Sequence, residues 1–448
     1  MKVLKYDVLV IGGGPAGYYC ALHCKKGGLK VALVEREELG GTGFRWGCLP
    51  VKKMLDACKQ LKKNQDLGLQ IGLEDLKKNR IGREKLSLVE EKMKKILSEA
   101  KVDIYFGEGF FLDQHTFEVA GERLIAEKIV IATGTSPCGF DGIPLNGETI
   151  ISHREAVNFT TLPETLIIIG GNVEGCEFAS LFAELGVKIH LIERDEVILK
   201  GNDRDLVEPL EKLLIKKGVE VYTGLGAVRV EENKDKVIVL LEDGQQIKGN
   251  KVLITGMRKA NLPQELEAIG IMVEKNRILV DDNLRTNAAN IYAIGDINGI
   301  LEMAHVAIHQ GIAAAEHILW EKPVEMYYKA LPRAIFTMPE IAGAGYQEGE
   351  LDSSGIAFQK GTYDFADTWR GFSKNLQEGF VKVLVDDKKK LLGIWMVGED
   401  VGEYIGMLGV LLHREISIEE IKSNLLIHPS MSEAVLEALL NLREKEGK

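Results

Sequence analysis

Cysteine is scarce: six residues in 448 (Cys20, Cys24, Cys48, Cys58, Cys138 and Cys176), too few and too scattered for a disulfide scaffold. Any cysteine that matters here is expected to be a reactive one. Positive charge is also in deficit. With 56 Lys and Arg against 67 Asp and Glu and a net charge of −11, binding along a nucleic-acid backbone has no global electrostatic support. Long hydrophobic runs are missing too. None approaches the ~18 uninterrupted apolar residues of a bilayer span, and the run Val8 to Ile11 passes straight into a glycine cluster with Lys5 and Asp7 just before it. That run reads as a buried strand rather than a signal-peptide core. The expectation is a cytoplasmic protein with neither a nucleic-acid nor a membrane partner. At 45% hydrophobic and 27% charged residues the composition is that of a globular protein, and the length suits roughly two to four domains.

Glycine is in excess, 48 residues or about 11% against a usual ~7%. Two clusters share one grammar. In the first, the strand-like run Tyr6 to Ile11 is followed by Gly12-Gly13-Gly14-Pro15-Ala16-Gly17, a helical stretch to about Gly27, a second strand from Lys30 to Val34, and Glu35. In the second, Thr165 to Ile169 leads into Gly170-Gly171-Asn172-Val173-Glu174-Gly175, a helix to about Gly186, a strand from Val187 to Ile192, and Glu193. The closing acid follows the first glycine by 23 residues in both copies, which makes a duplicated βαβ nucleotide module. Gly12, Gly14 and Gly17 let the backbone approach a pyrophosphate at a helix N-terminus, and Glu35 is placed to bond a ribose diol. The plainer reading of such a turn, glycines holding no ligand, is weakened by the strand before it and the acid after it. In the second copy Gly170 and Gly175 keep their places, but Asn172 stands at the middle glycine, where a side chain crowds the phosphates. Glu193 at the ribose position repels a 2′-phosphate and favours NAD over NADP, with Arg194 next door arguing the other way.

Pro50 to about Ala100 has helical spacing (Met54, Leu55, Cys58, Leu61, then Leu86, Val89, Met93, Ile96, Leu97) and reads as a helical insertion. Short β-rich runs from Ile104 lead to Ile129 and on to Gly134. A strand from Asn290 to Ile294 ends in Gly295-Asp296 and is followed by a helical stretch from Met303 to Trp320. Pro323 and Pro332 bracket the best linker. Beyond it, strand-like runs at Gly379 to Val385 and Leu391 to Val397 with two terminal helices predict an α+β domain.

Two further segments carry candidate chemistry. Cys48 lies two residues before Pro50, a residue suited to the first turn of a helix, so its sulfur stands near the positive end of the helix dipole, where a thiolate is favoured. A buried packing cysteine fits the same residues equally well. Cys58 is an unsuitable disulfide partner: ten helical residues separate the two by about 15 Å, and a bridge needs Cα atoms within about 7 Å. Near the C-terminus, His428 precedes Pro429, with Glu433 five residues on. Such a carboxylate orients an imidazole for general acid/base work. By spacing alone, a surface histidine that merely starts a helix is the plainer reading. The histidines show no metal-ligand spacing.

In this order the segments resemble the FAD-containing pyridine nucleotide-disulfide oxidoreductases, most of all the dihydrolipoamide dehydrogenases, over essentially the whole chain. The resemblance is carried by Gly12 to Glu35; the stretch Gly40-Gly41-Thr42-Gly43-Phe44-Arg45-Trp46-Gly47-Cys48-Leu49-Pro50-Val51-Lys52; Ala132-Thr133-Gly134; Gly170 to Glu193 with Glu177; Gly256-Met257-Arg258-Lys259-Ala260-Asn261; Tyr292-Ala293-Ile294-Gly295-Asp296; and His428-Pro429 with Glu433. It implies an α/β fold: two Rossmann-like dinucleotide-binding domains plus a C-terminal α+β dimerisation domain. FAD-binding is expected over 1–150 and 281–330, NAD-binding over 151–280, and dimerisation over 331–448. The implied cofactors are FAD and NAD(H). Their implied ligands are Gly12, Gly14, Gly17, Glu35, Gly41, Thr42, Thr133, Gly134, Gly256, Arg258, Gly295 and Asp296, with Gly170, Gly175 and Glu193 in the second module. Asp296 takes the flavin's ribityl chain. Lys52 and Glu177 are implied as an ion pair beside the flavin N5. His428, held by Glu433, is implied to come from the neighbouring subunit of a homodimer as the acid/base.

One position breaks the pattern. The family carries two cysteines with four residues between them that form a disulfide; here Gly43 stands at the first, Cys48 matches the second, flavin-facing one, and Val51 replaces a serine. The expectation is an NAD(P)H-dependent flavoprotein oxidoreductase that moves electrons between NAD(H) and a disulfide, thiol or other acceptor without an exchange cysteine. The alternatives are a disulfide-independent NADH:acceptor reductase, diaphorase or transhydrogenase, an enzyme that cycles Cys48 through a sulfenic acid, or a flavoprotein subunit or sensor without turnover.

Overall fold

The run Val8-Leu9-Val10 offers water no polar side chain, and all three residues are fully buried inside a parallel sheet. The computed structural model describes residues 2–66, 83–233 and 236–444. Part of the helical insertion expected between Pro50 and Ala100 falls at 67–82, outside the described residues. The chain gathers into two units, Met1–Thr161 with Gly256–Met326 and Leu162–Thr255 with Tyr327–Lys448.

In the first unit, strand β1 (Val3–Ile11) runs into helix α1 (Pro15–Lys26), which returns to strand β2 (Val31–Glu35). Pro15 suits the first helical position because its missing N–H has no partner there anyway, and His23, Lys25 and Lys26 sit in the last turn, where the helix dipole favours cations. A single π-helical turn, Thr42–Trp46, leads into helix α2 (Cys48–Asp66). Strand β3 (Glu122–Ile131) lies parallel to β1 on the side opposite β2, with Ile11 in register with both Val34 and Ile131. Strands Asp103–Phe106 and Ile291–Ala293 extend the parallel core, while Thr116–Val119 and Gly109–Phe111 add an antiparallel edge, giving seven strands. The strand order reverses between β1 and β3, so the glycine turn opens at a topological switch point.

The second unit repeats the plan. Strand β4 (Thr165–Ile169), helix α3 (Val173–Glu184), strand β5 (Lys188–Ile192) and helix α4 (Arg204–Lys216) precede strand β6 (Lys251–Ile254). β4 lies between β5 and β6, so the order again reverses next to the first strand. The same unit holds a six-stranded antiparallel sheet that includes strand β7 (Phe380–Val385), packed against helices Val401–His413 and α5 (Glu433–Leu440). Lys382 in β7 is 0% exposed, an arrangement that requires compensation. Its ammonium lies 2.8 Å from Asp203, 2.7 Å from Asp205 and 2.8 Å from Glu348.

Candidate active site

The three glycines of the first turn do different jobs. Gly12 has φ +111°, and a Cβ there would lie 2.3 Å from the Ala132 carbonyl oxygen. A Cβ on Gly17 would lie 1.9 Å from the Gly12 carbonyl oxygen, so only glycine lets α1 pack this closely on β1. Gly14 caps α1, and a Cβ there would meet nothing nearer than Gly41 Cα at 3.9 Å. That opening faces the head of a twelve-residue helix. Glu35 closes the module: its Oε2 accepts the Gly13 N–H at 2.8 Å and its Oε1 the Glu37 N–H at 2.9 Å. The Thr133 hydroxyl, just past the end of β3, is buried with no hydrogen-bond partner among the described residues. A buried orphan of this kind, beside an open cradle at a switch point, fits a polar ligand.

Residues far apart in sequence converge in this unit. The Arg258 guanidinium donates to Thr42 Oγ1 at 3.1 Å and to Thr135 Oγ1 at 2.7 Å, and Thr135 donates in turn to Asp296 Oδ2 at 3.1 Å. Burial pushes the Asp296 carboxyl above its ordinary range, against the pull of Arg258. Asn261 donates to the Thr133 carbonyl at 3.0 Å, and its backbone N–H reaches the Gly134 carbonyl at 3.0 Å. Gly41, Gly134, Gly256 and Gly295 all have positive φ, and Gln310 anchors the Gly295 N–H at 2.7 Å. Thr135, Asn261 and Gln310 were not among the candidate site residues; Asn261 closes the quoted Gly256 to Asn261 motif, while no local pattern marks Thr135 or Gln310.

Cys48 is the first residue of α2 and is exposed, with Lys52 one turn further along. Gly43 is buried in the π-helical turn, and a Cβ there would lie 2.6 Å from Pro15 Cγ. The Arg45 and Arg154 guanidiniums lie 4.6 Å and 5.3 Å from the centre of the Trp46 ring. Arg45 also pairs with Glu38, and with Glu90 at 3.4 Å; Arg154 pairs with Glu37 at 3.5 Å. This cluster lies around Trp46, two residues before Cys48, and its contacts to Glu90 and Arg154 join residues that no local motif links.

In the second unit, Gly170 has φ +113°, and a Cβ on Gly175 would lie 1.8 Å from the Gly170 carbonyl oxygen. Glu193 repeats the role of Glu35, accepting the Gly171 N–H at 2.6 Å and the Asp195 N–H at 2.8 Å. Glu177, on α3, is 6% exposed, and its Oε1 accepts the Phe336 N–H at 2.9 Å. His428 Nδ1 lies 2.8 Å from Glu433 Oε1, while Glu433 Oε2 accepts the Ser430 N–H at 2.7 Å. That N–H and the imidazole hold the Glu433 carboxyl below the usual carboxylate range. An ionised carboxylate only accepts, so a neutral His428 donates from Nδ1 and presents Nε2 as a base. The His428 side chain is 61% exposed. Cys48 and Lys52 thus stand in the first unit, and Glu177, His428 and Glu433 in the second. Among the described residues, no helix is long and apolar enough to cross a membrane.

Two dinucleotide modules in one chain, an exposed cysteine at a helix head and a carboxylate-held histidine define a two-nucleotide redox protein of the α/β class. The chain matches the pyridine nucleotide-disulphide oxidoreductase model over residues 6–311 and that family's dimerisation domain over 331–439. It belongs to this family of oxidoreductases, whose cofactors are FAD and NAD(H). It is 31% identical to a dihydrolipoyl dehydrogenase of Bacillus subtilis over 462 residues, 97% of this chain and 98% of that one. A dihydrolipoyl dehydrogenase of Mycoplasma pneumoniae is 32% identical over 449 residues, 96% of this chain and 97% of that one. Among solved structures, LpdA from Mycobacterium tuberculosis superposes with a TM-score of 0.89 at 26% identity, covering 98% of this chain and 99% of that one. The HOCl-induced flavoprotein disulfide reductase RclA from Escherichia coli gives a TM-score of 0.88 at 26% identity, covering 97% and 99%.

Proposed function

We propose that this dihydrolipoamide dehydrogenase-like protein moves electrons between NAD(H) and a disulfide or thiol outside itself, with Cys48 as its single redox sulfur. The reading is carried by the contrast between an exposed Cys48 at the head of α2 and a buried Gly43 whose side-chain space is taken by Pro15. By motif resemblance the exchange cysteine belongs at position 43, and a sulfur there meets the Pro15 ring. Substrate then has to reach Cys48 itself.

The residues fit the family's cofactors. Gly12, Gly14, Gly17 and Glu35 suit the pyrophosphate and ribose of FAD, with Gly41, Thr42, Thr133, Gly134, Gly256, Arg258, Gly295 and Asp296 completing that site. Gly170, Gly175 and Glu193 suit NAD(H). Bound FAD supplies a two-electron path between a nicotinamide and a sulfur. The resemblance assigns Lys52 and Glu177 to the flavin's surroundings. The Cys48 thiolate attacks one sulfur of the substrate disulfide; the substrate S–S bond breaks, one half stays on Cys48 as a mixed disulfide and the other leaves as a thiolate. His428, from the neighbouring subunit of a homodimer, first takes up a proton from solvent at Nε2 and then passes it to that thiolate, with Glu433 orienting the ring. Two electrons drawn from NADH, with a proton, then split the mixed disulfide and regenerate Cys48, so NADH, a proton and one disulfide become NAD⁺ and two thiols. A cytoplasmic setting belongs to this reading, since all six cysteines are unbridged.

Cys48→Ser tests it. The variant is expected to lose disulfide turnover while keeping NADH-driven dye reduction; full turnover of a disulfide by the variant overturns the reading and hands the function to a disulfide-independent NADH:acceptor reductase.

A further inference from the structure

The two nucleotide modules of this chain can be compared with each other. Gly14 caps α1 with φ −72° and ψ −175°, and Asn172 caps α3 with φ −78° and ψ −175°, so the two positions are equivalent. Ala132 and Thr255 are equivalent in the same way: the Ala132 N–H reaches the Ile11 carbonyl at 2.7 Å and the Thr255 N–H the Ile169 carbonyl at 3.0 Å. Each pair flanks the gap where the strand order reverses, which is where a Rossmann domain receives its dinucleotide.

In the first module neither position carries a polar side chain. In the second both do, and they bond to each other across the gap. Asn172 Nδ2 donates to Thr255 Oγ1 at 3.1 Å, and Asn172 Oδ1 accepts the Gly175 N–H at 3.2 Å. Thr255 Oγ1 donates onward to the Gly170 carbonyl at 3.0 Å. An amide N–H at the head of α3, a natural donor to phosphate, is therefore already engaged within the chain.

We infer that Asn172 and Thr255 form a built-in plug in the second module's pyrophosphate gap, which a pyridine dinucleotide must displace, and that Asn172 thereby sets a low affinity for NAD(H). This rests on the reading that the second module takes NAD(H). Releasing the plug exchanges internal hydrogen bonds for bonds to the ligand, so the dinucleotide gains only the difference.

Isothermal titration of the full chain with NAD⁺ tests the plug. Asn172→Gly is expected to bind about tenfold more tightly, the gain of one hydrogen bond to a charged group. Its melting temperature should fall, because α3 loses its cap. A purely structural Asn172 would lose affinity and melting temperature together. Thr255→Ala removes the anchor but leaves Asn172 in place, and should tighten binding less. The double variant, which copies the first module, should go no further than Asn172→Gly because the two side chains act as one unit. A folded Asn172→Gly that binds NAD⁺ no more tightly than the wild type overturns the plug; if that variant does not fold, an unchanged affinity in Thr255→Ala does so. Binding by a variant where the wild type shows none supports it. If neither the wild type nor any variant binds NAD⁺, the nucleotide reading of this module falls, and the plug falls with it.

Discussion

Gly43 is a residue whose smallness is enforced by a neighbour distant in sequence. Pro15 Cγ stands 2.6 Å from where a Cβ would be, and its ring cannot rotate away as a flexible side chain can. Gly43→Ala should therefore cost about 1–3 kcal/mol, the usual penalty of overpacking. Thermal melting should show a smaller loss when the substitution is made in a Pro15→Ala background; equal losses in both backgrounds would remove Pro15 as the cause. At this scale the sequence was partly legible. Gly12, Gly17, Gly170 and Gly175 could be assigned because their spacing alone demands close packing of helix on strand. The obstruction at Gly43, the Arg258–Thr42 contact and the Asn172–Thr255 bond could not, since each joins residues brought together only by the fold.

Among the elements, β7 carries a buried cation into a ring of carboxylates. Burial alone would raise the Asp203 carboxyl, but the hydrogen bond from Lys382 and the N–H groups of Gly349 and Glu348 outweigh it and hold Asp203 below its ordinary range. Lys382→Met removes the central charge and leaves Asp203, Asp205 and Glu348 facing one another. A loss of about 3 kcal/mol at neutral pH is expected, measured by urea unfolding. The pH dependence should change sign. In the wild type, a depressed carboxyl contributes stability that is complete above its unfolded value of 3.8 and is lost as pH falls through the lower folded value. In the variant, protonation relieves repulsion between carboxylates, so lowering the pH from 7 towards 4 should restore stability. A variant that loses stability with acid just as the wild type does would refute the assignment. The elements themselves were readable where the apolar pattern was strong: the two βαβ units appear as expected, with β1 starting three residues earlier than expected and β2 and β5 starting one residue later. The π-helical turn before Cys48 was not anticipated, because the sequence there has no period that distinguishes it from an ordinary helix start.

For the whole molecule, the match over residues 331–439 to a dimerisation domain supports a homodimer. Helix Val401–His413 presents Met407 with 75% of its surface exposed, at a cavity of about 270 Å³ lined also by Phe365, Met396, Tyr404, Leu408 and Met431. Glu403 and Ser432 complete the lining, and Met407 with Val410, 47% exposed on the same helix, gives the apolar side chains that a partner subunit would cover. Met407→Glu should shift sedimentation from a dimer towards the 49.6 kDa monomer. Disulfide turnover should fall with it, since His428 is assigned to the neighbouring subunit's site. A variant that stays dimeric and fully active would place the subunit contact elsewhere.

The sequence by itself determined that this is a two-nucleotide α/β protein, because a buried parallel strand, a glycine turn and a closing acid are local features that a single pass along the chain can read. It also singled out Cys48 and Gly43 as the positions on which the proposed chemistry turns. Only the tertiary structure decided which side chains occupy the gaps those motifs create. Pro15 against Gly43, Asn172 against Thr255, and Arg258 with Thr135 and Asp296 are all set by strand order and register. The reason is physical: a motif specifies the path of its own backbone, while the space left around it is bounded by whichever distant segments the sheet places alongside.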